Sequence, residues 1–175
     1  MEGPLVVIGV GNILLRDDGV GVRAVEQLRA VVHEDPSAVP PDTRILDGGT
    51  ALLGLLQELE HARGLVLVDA TAFGPPAGSV TVRTGEQAVA DGGPAHGITD
   101  FLFTARLLGC RPDEVSVVGV EVAEIDFGTD VSAPVALALP EAVMAVRREL
   151  WRMNDQVEAR GAPVGAAGRS AGAMA

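Results

Sequence analysis

The run GLVLVDA, Gly64 to Ala70, restricts the fold more than any other stretch of the chain. It is apolar until a single acid near its end. A strand with one wet face alternates polar and apolar residues, whereas a strand covered on both faces reads as a continuous apolar run. Four more strands are expected: LVVIGV (Leu5 to Val10), TRILD (Thr43 to Asp47), SVTVRT (Ser79 to Thr84) and EVSVVGVEV (Glu114 to Val122). SVTVRT alternates, which suits the edge of a sheet. Helical spacing is clearest over 20–32, where Val22, Val25, Leu28 and Val32 share a face. Further helices are expected over 51–62, with Thr50 as the N-cap, over 98–108 and over 134–153. Strands that alternate with helices make a layered α/β domain with a mostly parallel, five-stranded sheet. Such sheets carry their sites just beyond the carboxyl ends of the strands.

The 175 residues suffice for one domain with a real core, and 47% of them are apolar. Residues 1–153 are expected to form it, and 154–175, rich in Gly and Ala without bulky residues, a flexible tail. The 24 acids against 13 basic residues, net charge -11, exclude nucleic acid as a partner, since phosphate binding needs clustered basic groups. No apolar stretch reaches the ~18 residues of a membrane helix, and the N-terminus lacks the basic start of a signal peptide. The single cysteine, Cys110, leaves no internal disulfide; it reads as a small buried residue rather than a nucleophile. These features suit a cytoplasmic protein.

The segment GVGNILLRDDGVG, Gly9 to Gly21, sets a problem. Glycines at a strand end suggest phosphate, and paired acids suggest a metal or a proton. A dinucleotide loop needs a third glycine where this chain has Leu14. Asp17 and Asp18 would repel a pyrophosphate, and Asp47 lies too far along to be the ribose acid. In the tail, GRSAG (Gly168 to Gly172) matches a nucleophile elbow, but it lacks the flanking strand and helix and the later Asp and His that an elbow requires.

The acids fit a metal better. Asp18 follows the first strand, Asp47 closes the second and Asp69 the third, all at the carboxyl end of the sheet. Neighbouring residues point different ways, so one of Asp17 and Asp18 is expected to face the site while the other caps the next helix. His33 and His61 read as surface residues. His96, in GGPAHGITDF, precedes a helix at the same end of the sheet. Asp18, Asp69 and His96 together offer two oxygens and a nitrogen, a set suited to zinc or nickel. Their wide separation is no metal-spacing motif, so a polar network at a helix start stays open as the alternative on the residues alone.

Taken in order, GVGNILLRDDGVGVRAVEQL, DGGT, LVLVDA, HGITDFLFTARLLG, VVGVEVAEIDFG and LALPEAV resemble the nickel–iron hydrogenase maturation endopeptidases over about Leu5 to Leu150. Any one piece is weak; the combination is specific. The resemblance implies a three-layer sandwich, phosphorylase/hydrolase-like, with a central twisted sheet. It implies an endopeptidase that removes the C-terminal extension of a hydrogenase large-subunit precursor after nickel insertion. The nickel, carried by the substrate, would serve as the recognition element. The family's metal-contacting positions fall on Asp18, Asp69 and His96. Its D-G-G-T segment falls on Asp47, Gly48, Gly49 and Thr50, which are expected to contact substrate, with Asp47 as candidate base. One departure is Val122-Ala123, where members often have Pro-Glu; it bears on which precursor is recognised. A loop over 85–95 could serve as a lid over His96 or as a plain connector. The competing function is a non-catalytic nickel-binding maturation chaperone, although such proteins favour the Cys- or His-rich tracts absent here.

Overall fold

The computed structural model describes residues 3–85, 87 and 97–161. The strands are β1 (Leu5–Val10), β2 (Arg44–Gly49), β3 (Gly64–Thr71), β4 (Val80–Thr84) and β5 (Glu114–Glu121). They form one sheet in the order β2-β1-β3-β5-β4. β1 pairs in parallel with β2 and β3, and β3 with β5; β4 is an antiparallel edge. The alternating strand is thus at the edge, and GLVLVDA, buried at every position, is at the centre.

Pleating sends alternate residues to opposite faces. Leu5 and Val7 of β1 and Val66 and Val68 of β3 pack against α1 (Val20–Glu34) and a long C-terminal helix, α3 (Ala133–Gly161). Val6, Ile8, Leu65 and Leu67 face the other way. There they meet Leu52 and Leu59 of a 3₁₀ segment, together with Phe101, Leu102 and Ala105 of α2 (Ile98–Leu107). Each face therefore carries its own apolar layer, and the three-layer sandwich follows from the double-sided burial of the central strands. Cys110 is half-buried against the second layer.

Three expectations change. The segment after β2 is a 3₁₀ helix over Leu52–Leu59, and Thr50 does not cap it. The Ala51 N–H closes a turn onto the Gly48 carbonyl and leaves Thr50 exposed; Gly54, a poor helix former, lies within the segment. Second, α3 continues through Gly161 rather than ending at Met153, so the start of the expected tail is helical. Met153 and Asn154 are buried, and Arg63 donates to the Asn154 side chain, which ties the helix to the body at that point. Residues 162–175, including GRSAG, lie outside the described residues. Third, neither acid of the pair caps α1, whose N-cap is Gly19 with no side-chain bond.

Candidate active site

β1 delivers the chain to the carboxyl edge of the sheet, and glycines shape the loop beyond it. Gly11 has φ +125, and a Cβ there would sit 1.8 Å from the Asp18 carbonyl oxygen. Only glycine allows the loop to fold back on itself at that point. Gly9 and Gly21 serve packing: a Cβ on Gly9 would lie 2.3 Å from the Gly21 carbonyl oxygen, and one on Gly21 2.2 Å from that of Val68. The glycine pattern that suggests phosphate is thus a tight turn plus a helix packed directly on strand backbone.

Within the folded-back loop the Asn12 N–H donates to Asp18 Oδ2 at 2.7 Å. Asp18 is half-buried and lines a cleft of about 320 Å³ with Asn12, Leu15, Gly49, Thr50, Asp69 and Gly97 among its walls. The Gly11 N–H reaches across to the Gly49 carbonyl and joins the walls supplied by β1 and β2.

Asp69, near the end of β3, is 4% exposed. Its Oδ1 accepts from the Ala70 N–H at 2.8 Å, while Oδ2 is buried without a hydrogen-bond partner among the described residues. Burial pushes its pKa up to about 7; the Ala70 amide opposes the rise and the neighbouring Asp18 charge adds to it. A buried carboxylate oxygen without a donor is costly. Two neighbouring carboxylates at one cleft suit a cation, which would satisfy both. Among the described residues no three His, Cys, Asp or Glu side chains are grouped to hold a metal ion. The third expected ligand, His96, lies outside the described residues, although the next residue, Gly97, lines the cleft. Most of the candidate lid over 85–95 lies outside them too.

Asp17 has a role with no signal in the sequence. It is fully buried, and its carboxylate accepts four hydrogen bonds: the Ala123 N–H (2.9 Å), the Glu124 N–H (3.0 Å), the Ser132 N–H (2.6 Å) and the Ser132 hydroxyl (2.8 Å). Burial works to raise its pKa, but the bonds from Ser132, Glu124 and Ala123 outweigh it and hold the pKa below the ordinary value. Asp17 thereby fastens the strap between β5 and α3 onto the loop that carries Asp18. The Leu14 carbonyl accepts from the Gly128 N–H, the Gly128 carbonyl accepts from the Arg16 N–H, and Arg23 donates to the Thr129 carbonyl. Glu121, also buried, accepts from the Thr71 hydroxyl and from the N–H groups of Phe73 and Gly74, closing the loop after β3 in the same way.

The D-G-G-T segment divides. Gly49 and Thr50 line the cleft. Gly48 is buried, where a Cβ would lie 2.7 Å from an Ile8 methyl carbon, so it packs on β1 and is not among the cleft-lining residues. Asp47 is exposed and is not among the cleft-lining residues; its Oδ1 accepts from the Gly49 N–H at 2.9 Å, an Asx turn that sets the Gly-Gly conformation. The geometry brings Asp18, Asp69, Gly49 and Thr50 together and leaves Asp47 and Gly48 supporting the turn.

Comparison with known proteins identifies the family and the fold. A family model described as hydrogenase maturation protease matches residues 22–149. The hydrogenase expression/formation protein HupD of Rhodobacter capsulatus is 36% identical over 153 residues, 83% of this chain and 70% of that one. The hydrogenase 2 maturation protease of Escherichia coli is 34% identical over 82% of this chain and 90% of its own length. Among solved structures, the hydrogenase maturating endopeptidase HybD from E. coli superposes with a TM-score of 0.73 at 28% identity, covering 87% of this chain and 93% of that one.

Proposed function

This chain belongs to the hydrogenase maturation protease family, and on that premise we propose that it removes the C-terminal extension of a nickel–iron hydrogenase large-subunit precursor once nickel has been inserted. The observation that carries the proposal is the buried Oδ2 of Asp69, without a partner among the described residues, beside Asp18 in the cleft. Asp18 and Asp69, with His96 as third contact, would hold the nickel that the precursor brings. A site of two carboxylates and one imidazole on separate segments suits a metal that arrives and leaves with its substrate, because such oxygen-rich sets are open and weakly selective. The names of relatives, protease and endopeptidase, favour an enzyme over the nickel-carrier alternative. Among the described residues no helix is long and apolar enough to cross a membrane, which is compatible with a cytoplasmic site of action.

Hydrolysis needs an oriented carbonyl, an attacking water and a proton for the leaving amine. Docking of the nickel on Asp18 and Asp69 would fix the precursor so that its C-terminal segment lies along Gly49 and Thr50, converting recognition into orientation. A metal beside the scissile carbonyl supplies Lewis-acid polarisation. Asp47, the base expected from the resemblance, is exposed outside the cleft lining and accepts from the Gly49 N–H, so its part here is to hold the turn that presents Gly49 and Thr50. The test is cleavage of a cognate precursor, with and without nickel, read by mass spectrometry. Nickel-dependent release of one C-terminal peptide, lost in His96→Ala, is expected; equal cleavage of nickel-free precursor would overturn the recognition role.

A further inference from the structure

The strap between β5 and α3 carries Phe127 with 85% of its surface exposed and Ile125 with 49%. The loop that carries Asp18 exposes Ile13 (46%) and Leu14 (58%). The two segments touch: the Gly128 N–H donates to the Leu14 carbonyl at 3.0 Å, and Leu15 and Gly128 form a parallel bridge. Four large apolar side chains therefore stand in water on two joined segments. Their backbones are held in place by Asp17 on Ala123, Glu124 and Ser132, and by Arg23 on Thr129. The Asp126 side chain accepts from the Phe127 N–H and stiffens the tip. Apolar groups on a fixed backbone cannot retreat from solvent, and a grouped patch of this kind marks a contact surface.

Continuity with the cleft identifies what covers it. Ile13 and Leu14 lie between Asn12 and Leu15, both of which line the cleft, so the exposed apolar pair is continuous with the cleft wall beside Asp18. We propose that Ile13, Leu14, Ile125 and Phe127 form an apolar docking rim for the hydrogenase precursor, with Asp17 as the positioning residue that locks this rim to the Asp18 loop. The inference rests on the function proposed above and names the surface by which that substrate is chosen. Two of the acids beside the rim are already engaged: Asp17 within the strap, and Glu124 with Arg16. Its partner is an apolar patch on the precursor beside the C-terminal extension.

The test uses the full-length enzyme, the nickel-loaded cognate precursor and a Leu14→Ser/Phe127→Ser double variant. Leu107→Ser, an equally exposed site at the far end of α2 from Gly97, is the control. Binding is measured by biolayer interferometry and cleavage by steady-state kinetics, each beside a melting curve. The double variant is expected to raise Kd and KM by about tenfold or more, as loss of buried apolar anchors does, with kcat within about twofold, the melting temperature unchanged and the control unaffected. Unchanged Kd and KM would overturn the rim. If the wild type binds precursor without cutting it, the proposed peptidase function fails, and the rim is judged on the Kd shift alone. If it does not bind, both fail.

Discussion

Asp17 and Asp69 are both buried carboxylates at the carboxyl end of the sheet, and they have opposite surroundings. Asp17 receives four hydrogen bonds, three of them from backbone amides, and its pKa is held down. Asp69 receives one and keeps an oxygen with no partner among the described residues, and its pKa is pushed up to about 7. The first arrangement is finished: every donor is supplied by the fold, and the product is a fastened strap. The second is unfinished among the described residues, which leaves Oδ2 able to meet a ligand. Saturation of hydrogen bonds, rather than burial or charge, separates a structural acid from one reserved for a ligand.

Substitutions at the two acids should therefore part company. The largest effect is expected from Asp69→Asn in cleavage, a loss of about 10²–10³ in rate, as when a single charge-stabilising group is removed from a site. The metal-free protein should nevertheless gain stability. A raised carboxylate pKa means that the folded state holds its proton longer than the unfolded chain, so wild-type stability falls as pH climbs from about 4 to about 7 and levels off above. The stability of Asp69→Asn relative to the wild type, read from melting curves, should grow over the same window by up to about 4 kcal/mol. A variant less stable than wild type at pH 8 would break the contrast.

Asp17→Ala comes next and acts the other way. It leaves three amides and a hydroxyl of the strap without their acceptor, for a destabilisation of about 3 kcal/mol, or about 6–12 °C in melting temperature for a chain of this size. Its lowered pKa gives a stabilisation that is complete above the unfolded value of about 3.8 and is lost as pH falls through the folded value. Acid unfolding of the wild type should therefore be steeper than that of the variant. Equal stability of the two at pH 7 would show that the strap is held by other contacts.

The smallest effect is expected from Asp47→Asn. The amide oxygen still accepts from Gly49, so the turn survives, and cleavage should fall by less than about tenfold. A loss as large as that of Asp69→Asn would make Asp47 the base.

Much of the fold is legible in the residues alone. Continuous apolar runs identify the central strands, and the alternating SVTVRT marks the edge, because burial on one face or two writes itself into residue period. Asp18 is singled out from its neighbour by the family resemblance, whereas Asp69 stands out because a lone acid at the end of such a run has few structural uses. Asp17 does not: its donors lie more than a hundred residues away, and three of them are amides, which every residue type carries. For the same reason Thr50 reads as a helix cap. Only the Gly48–Ala51 turn, a backbone feature, shows it facing the cleft. The end of α3 is misplaced in sequence because the Gly/Ala-rich composition that follows sets the boundary, whereas Asn154 accepts from Arg63, lies buried and keeps the helix going.

The central claim is that Asp18 and Asp69 meet the metal carried by the substrate. X-ray absorption at the nickel edge, on precursor alone and on precursor rapidly frozen with the enzyme, tests it most directly. Added oxygen scatterers in the nickel shell with wild-type enzyme, absent with an Asp18→Ala/Asp69→Ala double variant, are predicted. An unchanged nickel shell while cleavage proceeds would contradict the claim.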